Sequence, residues 1–115
     1  MPFVLLHNPR CSKSRQALKM LEATDHNYMV RDYLKQPLSL DELRILKQRL
    51  GLDPAEWIRW NEAAADNLDR DAGTMPLLEA IARNPILMER PILIKGDEAW
   101  VGRPDPAETF GPIIQ

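Results

Sequence analysis

Residues 3–6 (FVLL) form an unbroken apolar run that His7-Asn8-Pro9 stops. A continuous apolar run of this length predicts a strand buried on both faces. Pro9 biases Asn8 away from helix, so a turn follows. From Ser12 the period changes: Ala17, Leu18 and Leu21 share one helical face, with Met20 beside it. Residues 27–34 (NYMVRDYL) predict a second strand, with charge intruding at Arg31 and Asp32. Strand, helix, strand implies a right-handed crossover and a parallel pair. Ser39-Leu40-Asp41-Glu42 is a capping box, followed by the stripe Leu40, Leu43, Leu46 and Leu50 and a stop at Gly51. Asp53-Pro54-Ala55-Glu56, with proline at the first helical position, predicts a further short helix carrying Trp57, Ile58, Arg59 and Trp60.

Residues 66–73 are polar and predict a loop, and residues 75–83 a helix that buries Leu77, Leu78 and Ile81. Residues 91–94 and 99–101 predict two strands joined by the turn Lys95-Gly96-Asp97-Glu98, a hairpin. A short final helix is expected within residues 105–115. The order predicts an α/β fold: one domain over residues 1–115, a small mixed sheet with a helical insertion at about 39–84.

With 115 residues, 44% hydrophobic and 28% charged, the chain can bury a core and does not read as disordered. A net charge of −2 argues against a nucleic-acid partner, which needs a concentrated basic surface. The apolar start is too short for a signal-peptide core and no run approaches a membrane span, so the chain is expected to be soluble and cytoplasmic, without a membrane partner. One cysteine excludes an internal disulfide. Ten arginines stand against five lysines. Most are expected on the solvated surface, but arginine is also the side chain suited to bidentate oxyanion recognition.

Cys11 sits between the first strand and the first helix. Helix N-termini present amides without intrahelical partners and the positive end of the dipole, and both favour thiolate over thiol. Arg10, Lys13 and Arg15 add positive charge, and His7 closes the strand upstream. The same amides can hold an incoming anion, so nucleophile and anion cradle would coincide. A lone cysteine is often a buried, inert one, but flanks of Arg10, Ser12 and Lys13 do not make an apolar pocket. Arg59, Arg90 and Arg103 stand at element boundaries, and spacing alone does not bring them together. His26 has no partner of catalytic type and reads as surface. No spacing resembles a metal site.

The stretch His7-Asn8-Pro9-Arg10-Cys11-Ser12-Lys13-Ser14-Arg15 resembles the active-site loop of glutaredoxin-dependent arsenate reductases and their short relatives. Tyr33-Leu34 with Pro37, Arg59 with Glu62, the run from Asn84 through Pro85 and Arg90 to Ile92, and Gly102-Arg103-Pro104 match in the same order and cover most of the chain. In length the chain is similar to the short members, without the longer C-terminal extension of the well-known reductases. The resemblance implies a thioredoxin-like fold with a cis proline at Pro91 facing the cysteine. It implies that Cys11 attacks arsenate or a similar oxyanion, that His7 tunes the thiolate, that Arg59, Arg90 and Arg103 stabilise the oxyanion, and that Asn8, Ser14 and Arg15 help bind it. Glutathione would be the cosubstrate and glutaredoxin the partner, with no bound cofactor or metal, in a monomer serving arsenic detoxification. Transcription regulators that grip the RNA polymerase α subunit share this fold and loop. Many of them carry a second cysteine where this chain has Ser14, so the resemblance favours the enzyme.

Overall fold

The chain opens with β1 (Phe3–His7), whose residues are almost all buried, and turns through Pro9 into α1 (Ser12–Glu22). β2 (Tyr28–Asp32) pairs parallel to β1, with Phe3 opposite Tyr28 and His7 opposite Asp32. β3 (Ile92–Lys95) pairs antiparallel to the other edge of β1, with Leu6 opposite Ile92, and β4 (Glu98–Val101) returns antiparallel to β3. The sheet order is β2-β1-β3-β4. A last helix, α4 (Pro106–Ile114), packs beside α1. The computed structural model describes residues 1–115, which fold as two compact units. Met1–Gln36 with Arg90–Gln115 is the sheet unit, and Pro37–Glu89 is the helical one.

In the sheet unit, alternation along the strands sends Phe3, Leu5 and Leu93 to the face that α1 and α4 cover. There they pack with Ala17, Leu21, Phe110 and Ile114, all nearly inaccessible. The register decides where the chemistry lies. Because Leu6 faces Ile92 and Ile92 faces Val101, the residues just before β3 and just after β4 meet at the sheet end where β1 runs into the Cys11 loop. His26 is on the surface, as its sequence context suggested. Its Nε2 hydrogen-bonds the Ile114 carbonyl at 2.6 Å, and its ring stands edge-on to Phe3.

β2 is shorter than the apolar pattern of residues 27–34 suggested. The Asp32 carboxylate accepts from the Leu34 and Lys35 amides at 3.0 and 3.3 Å, and this turns the chain out of the sheet. In the helical unit, α2 (Leu40–Leu50) carries both halves of its capping box, and Gly51 ends it in the left-handed region at φ 66°. α3 (Thr74–Arg83) buries Leu77, Leu78, Ala80 and Ile81.

The helix expected to carry Arg59 is one 3₁₀ turn, Pro54–Trp57. Ile58 is extended and bridges Met88, the Arg59 amide donates to the Leu87 carbonyl at 2.6 Å, and the Glu89 amide donates to the Trp57 carbonyl. Trp57 and Ile58 are both buried, and the paired backbone of Ile58 and Met88 takes the place of a second helical turn. No helix is long and apolar enough to cross a membrane.

Candidate active site

Cys11 is the N-cap of α1, half-buried and extended at φ −97° and ψ 124°. A tight turn delivers it there: the Cys11 amide donates to the Asn8 carbonyl, and the Cys11 carbonyl accepts from the Arg15 amide, each at 3.0 Å. No acid stands in the first turn of α1, so nothing local competes with an anion for its amides. The sulfur makes no cap hydrogen bond of ordinary geometry, and the amides act on it through their dipoles.

Burial pushes the Cys11 thiol up, but three attractions together outweigh it: the Ser14 amide, a hydrogen bond and positive charge from Arg90, and the Lys13 amide. The net direction is down, so Cys11 is a stronger acid than an ordinary thiol. His7 is 6% exposed, and burial is the main reason its imidazole holds a proton less readily than usual. Arg15 works in the same direction, while Asp32 and the Ser14 backbone oppose it. Its Nδ1 lies 2.6 Å from the Ser14 hydroxyl, which also accepts from the Asn8 amide at 3.0 Å. A neutral His7 with an unprotonated Nδ1 can accept the Ser14 hydroxyl proton, leaving the serine oxygen for the Asn8 amide.

The sheet register brings two of the three boundary arginines to the sulfur. Arg103 Nη2 lies 3.7 Å from Cys11 Sγ, while its Nε donates to the Arg90 carbonyl at 2.8 Å. Arg90 itself bonds the sulfur. Both arginines precede prolines in cis peptide bonds, Arg90–Pro91 as the resemblance implied and Arg103–Pro104 without any sequence signal. Arg59 belongs to the helical unit and pairs with Glu62 at 2.7 Å. Asn8 and Ser14 are buried behind the loop, where the Asn8 side chain accepts from the Arg10 amide at 3.0 Å. Arg15 reaches back to the Pro9 carbonyl at 3.0 Å and keeps its guanidinium near the loop.

Asp32 had no local signal, and Gly102 had none beyond its place in the matching Gly102-Arg103-Pro104. Asp32 meets His7 only through the parallel register of β1 and β2. Gly102 lies where a Cβ would stand 2.8 Å from the Phe110 ring and from Pro91 Cγ, so its lack of a side chain lets β4 turn tightly enough to carry Arg103 over Arg90. Together these groups form a nucleophilic sulfur, stabilised as its anion and flanked by guanidinium donors. Such a centre suits attack on an electrophile that is itself an oxyanion.

The chain matches the ArsC family over residues 6–108. An arsenate reductase of Neisseria meningitidis serogroup A is 44% identical over 108 residues, covering 87% of this chain and 89% of its own. The solved structure of an arsenate reductase from Vibrio cholerae superposes with a TM-score of 0.88 at 36% identity, covering 96% and 97% of the two chains. The global transcriptional regulator Spx of Listeria innocua is 33% identical over 101 residues, covering 85% of this chain and 77% of the regulator. The thioredoxin-like α/β fold, the thiol loop at the sheet end and these likenesses along nearly the whole chain carry one conclusion: the chain belongs to the ArsC family.

Proposed function

We propose that this protein is an arsenate reductase, with Cys11 as nucleophile and glutathione and glutaredoxin as the source of electrons. The observation that carries the reading is the acidified Cys11 thiol with Arg90 and Arg103 both bonded to it. The arsenate reductase names of its relatives support the substrate. The Cys11 thiolate attacks arsenic(V) and displaces one oxygen as water, giving a Cys11 S–As bond. A glutathione thiol displaces a second oxygen as water. A glutaredoxin thiolate then attacks the glutathione sulfur, the S–As bond leaves its electron pair on arsenic, and a mixed disulfide departs. Water releases arsenite and returns Cys11 as thiol. Two thiols supply the two electrons, and the step needs no metal or bound cofactor.

Arg90 and Arg103 neutralise the oxyanion as it meets a thiolate, an encounter that is otherwise repulsive. His7, through Ser14 and Asn8, holds the loop, and Arg15 extends the positive field. The part of Arg59 rests on the family resemblance and its guanidinium chemistry. The test is NADPH consumption coupled through glutathione reductase, with arsenate, glutathione and a panel of glutaredoxins. Turnover that requires arsenate and vanishes in Cys11→Ser is the expected result. The likeness to Spx favours a second reading, a regulator that binds the RNA polymerase α subunit, and Ser14 at the place of the second cysteine speaks against it. Capture of the α subunit by a protein that turns over no arsenate would select that reading.

A further inference from the structure

α1 continues from the nucleophile into a groove of about 580 Å³ lined by Ser12, Arg15, Gln16, Lys19, Met20 and Ala23. These positions are three or four residues apart, so they form one stripe along the helix, and the stripe begins at the residue after Cys11. Its charge is one-sided. Arg15 and Lys19, four apart and both exposed, put two cations on neighbouring turns, and no carboxylate is among the lining residues. Met20 and Ala23 supply an apolar floor. The Gln16 amide is tied to Asp105 at 2.9 Å, which fixes one wall against the start of α4 and sets a single acid behind it.

We propose that this groove is the docking site of the small thiol reductant: a peptide thiol bearing carboxylates, held by Arg15 and Lys19 with its sulfur directed at the Cys11 adduct. The inference rests on the reductase reading and adds to it where the second thiol binds. Glutathione fits the charges. Its two carboxylates match the two cations, and its one ammonium suits the side of the Gln16–Asp105 pair. A neutral thiol such as 2-mercaptoethanol has nothing to offer Lys19. The bond formed there is the second S–As bond, with one arsenic oxygen leaving as water. The groove binds and aims the thiol and takes no part in the electron transfer that follows.

Two measurements test this. In the coupled assay, Lys19→Glu replaces an attraction by a repulsion and is expected to raise the KM for glutathione about tenfold. The KM values for arsenate and glutaredoxin keep their parental values, as does the rate with 2-mercaptoethanol. Lys35→Glu, an equal charge change at another exposed lysine, leaves the glutathione KM unchanged. A rise in the glutaredoxin KM with an unchanged glutathione KM overturns the proposal and gives the surface to the protein partner instead. The second measurement is independent of arsenate. S-methylglutathione, which cannot react, is titrated into the ¹⁵N-labelled chain, and the amides of residues 12–23 are expected to shift in the parental protein and not in Lys19→Glu. Shifts confined elsewhere, or none, overturn the groove. Shifts in residues 12–23 without any arsenate turnover leave the groove standing and sink the reductase reading.

Discussion

At the scale of single residues, the site is an argument about one proton. Burial alone would keep Cys11 a thiol, and the Ser14 and Lys13 amides and Arg90 reverse that. Iodoacetamide alkylation followed against pH is therefore expected to rise with an inflection below the ordinary ~8.5 of a free thiol. In Arg90→Ala the inflection should move back up, and an unchanged profile would remove Arg90 from the account. Arg103 is the better probe of the oxyanion, since its guanidinium reaches the sulfur while its Nε anchors on the Arg90 carbonyl. Arg103→Ala is expected to lower kcat/KM for arsenate by roughly 10²–10³, the loss typical of one preorganised donor. Lysine should restore part of it, because it keeps the charge and loses the fork. Steady-state kinetics with circular dichroism as a folding control decides the matter. Cys11 and its basic neighbours were legible as residue types at a strand–helix junction. The support from Asp32 was not, because that residue meets His7 only through strand register.

At the scale of elements, local rules read the helices well. The capping box at Ser39, the stop at Gly51 and the apolar stripe between them are the same in the structure as in the pattern. Ser39→Ala should cost about 1 kcal/mol in urea denaturation, as an N-cap residue does. The failure came at Trp57 and Ile58, where a proline-led helix start gives way after one turn to the bridge with Met88. Local propensity favoured continuing the helix, and backbone pairing with residues 87–89 overrode it. Gly102 shows the same dependence on tertiary context. A methyl group there would meet the Phe110 and Pro91 rings at 2.8 Å, and both residues are buried. Gly102→Ala is expected to destabilise the fold by about 1–3 kcal/mol. It should also lower kcat/KM for arsenate, because Arg103 follows the backbone of Gly102.

At the scale of the whole molecule, stability and activation are linked through protons. Cys11 and His7 both have native pKa values below their ordinary ones. In the window between the native and unfolded pKa of each group, the unfolded chain binds more protons than the folded one, so the stability contribution of each rises with pH. Across the thiol window the parental protein should gain stability relative to Cys11→Ser as the pH is raised. Equal slopes in denaturation at a series of pH values would contradict the native thiolate. The strand order could be anticipated as one parallel pair and one hairpin, but not the pairing of β1 with β3 that joins them, and that pairing creates the site. It has a consequence for the protein during its own synthesis. The cysteine leaves the ribosome before Arg90 and Arg103, which follow only after the whole Pro37–Glu89 unit. A nascent chain arrested before β3 carries a sulfur without its two guanidinium partners. The thiol therefore acquires its full reactivity only once β3 and β4 have been made and paired with β1.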